Sequence, residues 1–342
     1  MRPPASPGGA PRALRVGLIG AGWISESHLP HIEADGDTRL VAVCDTDLAR
    51  AEAISRPRGA SAYVGWEEML DADRLDAVWV CTPPLHHRAP TVAALERGIH
   101  VYLEKPIARD LSEGEVIVAA AEAAEAVCVV GYQWRGTELL QRAQELVSPR
   151  DVAMLVSRNY GPVAARGWFM DPQQSGGQIL ERASHHIDLQ RAIGGEVVAV
   201  RTVGSSVALA QAGQPSATIE DALALTLEFA TGAVGTIGVA WTPPDHPSVH
   251  ALDVMAAQAS INLRLGPGSF DLGGVAAGDA LSGSYGDPMR RSVRRFLDLA
   301  RGERDIAPFC TPRDALGTLA VALACERALA SGERVTVPGS VS

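Results

Sequence analysis

The chain has 342 residues, of which 46% are hydrophobic and 20% charged, as in an ordinary soluble globular protein that is long enough for two domains. Its formal net charge of −10 argues against a nucleic acid or an acidic membrane as a partner. No uninterrupted apolar run reaches the length of a transmembrane helix.

The amino-terminal segment, MRPPASPGGAPR, is rich in proline and glycine and lacks the apolar stretch of a signal peptide. We interpret this segment, 1–12, as a disordered leader. The five cysteines are odd in number and contain no C-x-x-C pair. This pattern predicts reduced thiols in a cytoplasmic protein, and it offers no ligand set for structural zinc.

Short β-rich runs alternate with helical stretches between positions 13 and 130. Strands that are apolar on both faces and separated by helices predict a doubly wound parallel sheet, the α/β class. The strand candidates are ALRVGLI (13–19), RLVAVC (39–44), DAVWVC (76–81), HVYLE (100–104) and AVCVV (126–130).

The pattern changes after about residue 131, where longer strand-like stretches begin. EVVAVRTVGSSVAL is one of them, and ALALTLEFATGAVGTIGVAW reads as a hairpin whose turn is Thr231-Gly232. We expect an open, mostly antiparallel sheet here, followed by two helices near the end of the chain. The predicted boundary lies near residues 131–136, which gives domains at 13–133 and 134–342.

The first predicted strand leads into Gly20-Ala21-Gly22-Trp23-Ile24-Ser25, a G-x-G-x-x-S pattern. Two glycines allow a tight turn and a close approach of the backbone to a pyrophosphate, and a small third residue packs the helix on the strand. A glycine pair alone is weak evidence, but a strand precedes this one and a helix follows it. We therefore predict dinucleotide binding by Gly20, Gly22, Trp23 and Ile24.

Asp45 ends the second strand, one predicted helix and one predicted strand after the glycine turn. A carboxylate at this place accepts hydrogen bonds from the adenosine ribose and repels a 2′-phosphate, which favours NAD over NADP. The neighbouring Arg50 leaves NADP open. The structural alternative is that Asp45 only caps the following helix, TDLARAEAI.

Two further strand ends carry candidate residues. The third strand is followed by Thr82-Pro83-Pro84 and by His87, and the fourth ends in Glu104-Lys105-Pro106. Ligands of parallel sheets bind beyond the carboxyl ends of the strands, where Lys105 can donate a proton or a hydrogen bond to a substrate oxygen. The alternative is an ion pair between the neighbours Glu104 and Lys105.

Another cluster lies in SGGQILERASHHID (175–188). On a helix, Glu181, His185 and Asp188 stand at i, i+4 and i+7, on one face. His185 is a candidate general acid/base that Glu181 could orient. The alternatives are a metal site, which has no further ligand set, and a histidine that is merely hydrogen-bonded at a domain interface.

These segments resemble the Gfo/Idh/MocA oxidoreductases, named for glucose-fructose oxidoreductase, inositol dehydrogenase and a rhizopine-catabolism protein. The resemblance spans nearly the whole chain. It rests on GLIGAGWISESH, VAVCDTD, CTPPLHHRAPTVAALERGIHVYLEKP, VGYQWR, SGGQILERASHHIDLQRAIGG and EFATGAVGTI.

The resemblance implies an N-terminal Rossmann domain and a C-terminal α+β domain whose open sheet often forms oligomer contacts, hence a homo-oligomer. It implies hydride transfer between nicotinamide and a carbinol carbon of a small carbohydrate, a sugar or polyol. Lys105 matches the family's lysine and His185 its active-site histidine, whereas Glu181 stands where many members have aspartate. In this picture His185 takes the hydroxyl proton, Lys105 held by Glu104 stabilises the oxyanion, and the proximity of two cationic groups favours a neutral imidazole.

Other residues are expected to shape the two binding sites. The Thr82-Pro83-Pro84 turn, His28 and His87 are expected to shape the cofactor site rather than do chemistry. The candidates for the substrate wall are Trp134, Arg135, Tyr160, Trp168 and Phe169, although core packing is the commoner fate of such aromatic side chains.

Two other functions stay open at the level of the sequence. One is a glycosidase that uses bound NAD for a transient oxidation and produces no net NADH. The other is a non-catalytic protein that senses dinucleotide, which would need neither Lys105 nor His185.

Overall fold

The computed structural model describes residues 12–162, 169–207, 219–242, 246–265, 270–272, 281–283, 287–303 and 305–339. The predicted leader therefore lies outside the described residues except for Arg12, whose guanidinium donates to Asp76 at 2.6 Å. The predicted substrate-wall residue Trp168 also lies outside them.

The N-terminal half forms a six-stranded sheet of order β3-β2-β1-β4-β5-β6, in which all neighbours are parallel. The doubly wound parallel sheet is thus confirmed. All five predicted strands are present, and one further strand, β3, is very short. The strands are β1 Leu14–Ile19, β2 Thr38–Cys44, β3 Ser61–Tyr63, β4 Ala77–Val80, β5 His100–Leu103 and β6 Cys128–Val130.

Ten α-helices lie within the described residues, and both predicted closing helices are among them. In chain order they are α1 Trp23–Glu33, α2 Leu48–Ser55, α3 Trp66–Ala72, α4 Arg88–Glu96, α5 Leu111–Ala123, α6 Glu138–Leu146, α7 Pro172–Ser175, α8 Ser184–Gly194, α9 Pro288–Ala300 and α10 Pro312–Ser331. Among the described residues, none of the helices combines the length and apolarity that crossing a membrane requires.

The C-terminal half forms a seven-stranded sheet of order β12-β11-β7-β10-β9-β8-β15. Only β7 and β10 pair in parallel, so the mostly antiparallel sheet is confirmed. The predicted hairpin is β9–β10, and Gly232 in its turn has a φ of +88°. The strands are β7 Val152–Pro162, β8 Val197–Ser205, β9 Ala222–Phe229, β10 Val234–Thr242, β11 Val249–Ala256, β12 Ala259–Arg264 and β15 Val335–Thr336, with a separate pair, β13 Phe270–Leu272 and β14 Leu281–Gly283.

Helices cover one face of this second sheet. Residues 155, 157 and 159 of β7 alternate as buried positions with partly exposed ones, because successive side chains of a strand point to opposite faces. Helix α8 packs on β7 and β10, and α10 packs on β8 and on α5 of the first half. Lys105, just after the carboxyl end of β5, contacts Glu181 in the segment that leads into α8.

Helix α9 belongs to the C-terminal half of the sequence but packs on the first sheet. Phe296 is fully buried there, with its ring 5.0 Å from that of Trp79 and 5.6 Å from that of Tyr102. Val293 and Leu297 are buried in the same apolar cluster as the strands β1 and β2. The chain thus returns after its second sheet to complete the packing of its first.

Candidate active site

The turn between β1 and α1 brings the backbone of Gly20 close to that of Cys81, just after β4. Gly20 has a φ of +96°, and a Cβ at this residue would lie 2.8 Å from the carbonyl carbon of Cys81, so only glycine fits. Gly22 is the N-cap of α1 and has no side chain to satisfy the first N–H groups. A Cβ at Gly22 would meet nothing within 4 Å, which leaves the open approach that a pyrophosphate needs. Gly20, Gly22, Trp23 and Ile24 all lie at this turn.

Asp45 lies directly after β2 and is only 9% exposed. Its Oδ2 accepts a hydrogen bond from the N–H of Ala21 at 2.8 Å, and its Oδ1 accepts one from the N–H of Asp47 at 2.9 Å. Arg50 approaches the same carboxylate at 3.1 Å. The helix cap is Asp47, which accepts from Ala49, so the alternative that Asp45 caps α2 is wrong. A carboxylate fastened to the glycine turn fits the ribose of a dinucleotide.

Thr82, Pro83 and His87 follow β4, which lies between β1 and β5 in the sheet. The two ring nitrogens of His87 lie 2.9 Å from the carbonyl oxygen of Pro106 and 2.8 Å from that of Thr82. The imidazole is fully buried, and burial lowers its pKa. His87 therefore joins the segments that follow β4 and β5, which is a structural role rather than proton transfer.

Glu104 does not pair with the side chain of its neighbour Lys105. Its buried carboxylate lies 2.7 Å from Nε2 of the buried His28, and it accepts the backbone N–H of Lys105 at 3.1 Å. Burial opposes ionisation of this carboxyl, but His28 and the charge of Lys105 keep its pKa below the ordinary value. The expectation that Glu104 holds the ammonium of Lys105 is therefore corrected, because this carboxylate is paired with the buried His28.

The ammonium of Lys105 binds Glu181 instead. Its Nζ donates to the carboxylate Oε2 and to the backbone oxygen of Glu181, each at 2.9 Å. The two side chains are only 13% and 9% exposed, so solvent screens the pair weakly. The expectation that Glu181 orients His185 is corrected as well, since the contact of this carboxylate in the structure is with Lys105.

Lys105 is the only lysine in the sequence. The other 29 of the 30 basic Lys and Arg residues are arginines. A chain that uses arginine for every other cation, yet has lysine at the end of β5, indicates that this position requires an ammonium group. This count was a signal available in the sequence alone.

His185 lies beside this pair, against two aromatic rings. Its ring centroid is 4.7 Å from that of Trp134 and 5.8 Å from that of Tyr132. The ring is partly exposed, while its Nδ1 is buried without a hydrogen-bond partner. Burial holds the pKa of His185 well below its ordinary value, and the nearby Lys105 lowers it further. His185 is therefore a neutral imidazole at neutral pH, as expected from a neighbouring cation.

The predicted helix around Glu181 begins as a π turn, Ile179–Ala183, which passes into α8 at Ser184. Glu181 and His185 both lie near Lys105, but Asp188 has a different role from theirs. Asp188 is buried and accepts two hydrogen bonds from Arg135, at 2.7 and 2.8 Å, and one from Thr318 at 2.9 Å. It fastens α8 to its surroundings and is not part of the candidate site.

The predicted substrate wall is only partly brought together. Trp134 contacts His185, and Phe169 lies 5.6 Å from Trp241 between ring centroids. Arg135 is occupied by Asp188, and Tyr160 faces the opposite side of β7 from Asn159. Among the described residues there is no cluster of three or more metal-ligating side chains, so the metal alternative has no support there.

Two histidines that the sequence did not single out lie next to Trp134. His186 is fully buried, and the ring centroid of His250 is 5.1 Å from that of Trp134. Burial lowers the pKa of His250 to about 4, so it is neutral in solution. His250 is distant in sequence from Trp134 and is brought close to it by the pairing of β11 with β7. No local sequence pattern predicts this pairing.

A glycine turn at a helix N-terminus, joined to Asp45, and an ammonium after another strand of the same parallel sheet are features of a dinucleotide-dependent oxidoreductase. Two family models match the chain. One, an oxidoreductase family with an NAD-binding Rossmann fold, covers residues 14–132, and the other, the GFO/IDH/MocA C-terminal domain, covers residues 140–262. Together they span more than two thirds of the sequence. The chain belongs to the Gfo/Idh/MocA family of oxidoreductases.

Characterised relatives resemble the chain at moderate identity. D-glucoside 3-dehydrogenase of Escherichia coli K12 is 28% identical over 239 residues, 65% of this chain and 68% of the relative. The 1,5-anhydro-D-fructose reductase of Ensifer adhaerens is 25% identical over 94% of this chain and 98% of the relative. Matches to other relatives span as little as 50% of their length.

The fold also matches solved structures. The WlbA dehydrogenase of Bordetella pertussis, in complex with NADH and UDP-GlcNAcA, superposes with a TM-score of 0.80 at 24% identity. The match covers 96% of this chain and 100% of that one. At this identity the likeness supports the fold.

Proposed function

We propose that the protein is an NAD-dependent dehydrogenase that oxidises a carbinol carbon of a sugar, polyol or sugar derivative, or reduces the corresponding ketone. The observation that carries the proposal is the contact of Lys105 with Glu181 beside a neutral His185, just after the carboxyl end of β5 in the same parallel sheet as the glycine turn. The relatives named as acting on a glucoside and on an anhydrofructose support carbohydrates as the substrate class.

The residues present fit NAD. The backbone around Gly20, Gly22, Trp23 and Ile24 would hold the pyrophosphate, and Asp45 would hold the adenosine ribose. Bound NAD supplies a hydride acceptor at C4 of its nicotinamide ring. Thr82, Pro83, His87 and Glu104 support the wall of the crevice from which Lys105 projects.

The protein side chains manage the proton and the charge. Because Nδ1 of His185 is buried, we assign Nε2 as the atom that takes the hydroxyl proton of the substrate. Lys105 donates a hydrogen bond to the same oxygen and stabilises negative charge that develops on it. Glu181 balances the charge of Lys105 and directs its Nζ.

A panel of sugars and polyols with NAD⁺ tests the proposal, with NADH absorbance as the readout. Production of one NADH for each substrate oxidised is the expected result. Release of a free sugar from a glycoside without net NADH would favour the glycosidase alternative. Binding of dinucleotide without turnover on any panel member would favour the sensor, although a sensor has no use for the Lys105–Glu181 pair beside His185.

We also propose that NAD is preferred to NADP, because the carboxylate of Asp45 would repel a 2′-phosphate. Titration with NADH and with NADPH, followed by energy transfer from tryptophan to nicotinamide, should show tighter NADH binding. Asp45→Ser should weaken NADH binding at least ten-fold and reduce the preference for NADH over NADPH. Asp47→Ser is the matched control, since Asp47 also contacts Arg50, at 3.3 Å, but is 52% exposed. Equal effects of both variants would contradict the assignment.

Exposed apolar side chains on the second sheet support self-association, and we propose a homo-oligomer that forms through this sheet. Met154 of β7 is paired with Val234 of β10 on one side and with Met255 of β11 on the other, and each of the three is partly exposed to solvent at the sheet surface. Sedimentation equilibrium should give a mass above that of one chain. Met154→Glu should shift the mass toward the monomer without loss of NADH binding.

A further inference from the structure

We propose that Asn159 and Arg182 form a positioning clamp that holds the π turn in the shape that presents Glu181 to Lys105. The clamp denotes these two residues, one on β7 and one in the turn. This inference rests on the proposed function for its catalytic meaning, but the geometry it describes is tested without turnover.

The two residues of the clamp bind each other reciprocally. Nη2 of Arg182 donates to Oδ1 of Asn159 at 2.9 Å, and Nδ2 of Asn159 donates to the backbone oxygen of Arg182 at 3.1 Å. Asn159 is 2% exposed, and its position in β7 is fixed by pairing with Val239 of β10 and with His250 of β11. A rigid element of the sheet thus holds a backbone carbonyl of the turn.

Two successive carbonyls of the turn accept hydrogen bonds from outside it. The oxygen of Glu181 binds Nζ of Lys105 from the first domain, and the oxygen of Arg182 binds Asn159 from the second. A π turn is a rare and unfavourable variation of a helix that recurs at functional sites. The side chain of Glu181 leaves the chain immediately before the first of these two carbonyls, so a change at the Arg182 carbonyl shifts the adjoining peptide and turns the Glu181 carboxylate relative to Lys105.

The contacts of Arg182 indicate that it positions the π turn. Its guanidinium also donates to Oε1 of Gln178 at 3.2 Å and to the backbone oxygen of Ala240 at 3.3 Å, and it stacks 4.4 Å above the ring of Trp241. Each of these hydrogen-bond acceptors is a neutral oxygen. Burial lowers the pKa of Arg182 to about 10, so it still carries its charge at neutral pH. The planar guanidinium of Arg182 therefore links the π turn to two strands, β7 and β10, and is suited to hold the turn in place.

The single lysine makes the test direct. Protein grown with lysine that is labelled with 13C at Cε gives one carbon signal, that of Lys105, and this signal reports the contact with Glu181 in the whole protein. Glu181→Gln provides the signal position of a lysine that has lost its carboxylate. We expect Asn159→Ala to move or broaden the lysine signal toward that position.

Ser157→Ala is the matched control. Ser157 is equally buried on the same face of β7, and its hydroxyl accepts a hydrogen bond from Gln190 of α8 at 2.9 Å, so its loss removes a similar link between helix and sheet away from the π turn. We expect this variant to leave the lysine signal unchanged. A lysine signal that stays in its wild-type position in Asn159→Ala, or that moves equally in Ser157→Ala, would overturn the proposal.

Two further variants keep the test decisive if Asn159→Ala does not fold. Arg182→Gln removes the guanidinium from the clamp, and Asn159→Asp keeps the acceptor for Arg182 while it removes the donor to the backbone oxygen. Both should displace the lysine signal, and an unchanged signal in both would contradict the clamp. Where the panel supplies a substrate, kcat should fall at least ten-fold in these variants while NADH affinity stays within two-fold, because the dinucleotide residues lie elsewhere.

Discussion

At the scale of single residues, Lys105 offers a test of whether the site needs an ammonium or only a positive charge. Lys105→Arg keeps the charge but places a wide planar group, which loses protons far less readily, where the structure has a compact one. We expect kcat to fall at least a hundred-fold in Lys105→Arg and in Lys105→Met, with NADH affinity within a few-fold of wild type. Stopped-flow NADH formation measures the first effect and fluorescence titration the second. Turnover near the wild-type rate in Lys105→Arg would mean that positive charge is sufficient.

The protonation state of His185 predicts a pH profile. A general base acts in its neutral form, and the pKa of His185 lies below its ordinary value of 6.5 because of burial and Lys105. The neutral form therefore persists to lower pH, so the acid limb of kcat/KM should lie below pH 6.5. His185→Gln should abolish that limb and lower kcat at least a hundred-fold. An acid limb in the neutral or alkaline range that survives in His185→Gln would assign the base to another group.

Neighbouring residues explain what the sequence could and could not predict about the site. The strand ends that carry Lys105 and Asp45 follow from the alternation of strands and helices. The partner of Lys105 does not, because Glu181 is distant in sequence and belongs to the other domain. Glu104 and Lys105 follow β5 directly, yet the carboxylate contacts His28 and the ammonium contacts Glu181, and no local pattern chooses between these partners.

At the scale of elements, the start of α10 has a capping box that should support the contact between the two halves. Thr311 accepts the N–H of Asp314 at 3.1 Å, and the carboxylate of Asp314 accepts the N–H of Thr311 at 3.1 Å. Thr311→Ala should lower the free energy of unfolding by about 1 kcal/mol, measured by urea denaturation. Thr311→Ser keeps the hydroxyl and should lose much less. Equal losses in the two variants would show that the methyl group, and not the cap, matters.

Elements with a strong local pattern were predicted, and those set by distant contacts were not. The β9–β10 hairpin follows from alternation around Thr231-Gly232. The strand β3 is too short for a period to be recognised. The π turn shares its apolar spacing with an ordinary helix over its short length, so the sequence pattern does not distinguish the two.

At the scale of the whole molecule, α9 links the stability of the first sheet to the end of the chain. Phe296→Ala would leave a cavity against Trp79 and Tyr102 and should lower the free energy of unfolding by about 3–5 kcal/mol. The urea concentration at which NADH binding is lost should fall with it, although Phe296 is far in sequence from the dinucleotide turn. Phe296→Leu, which fills part of the space, should lose less. If Phe296→Ala lost NADH binding at the same urea concentration as wild type, the packing of α9 would not contribute to the stability of the dinucleotide site.

The sequence predicted a parallel sheet followed by a mostly antiparallel one, but it did not predict that α9 packs on the first sheet. The segment PMRRSVRRFLDLARG has clear helical spacing, yet an apolar face states only that it is buried and not on which sheet. The position of α9 is set by its packing on the rings of Trp79 and Tyr102, which would be exposed without it. No pattern within residues 288–300 identifies these partners.

This return of the chain has a consequence for synthesis on the ribosome. The strands β1 to β6 emerge first, but the helix that covers Trp79 and Tyr102 is complete only at Ala300, near the end of the chain. We expect the nascent first domain to expose an aromatic face until Ala300 has been translated. Chaperone binding and premature aggregation should therefore concentrate on chains that are stalled between the last parallel strand and α9.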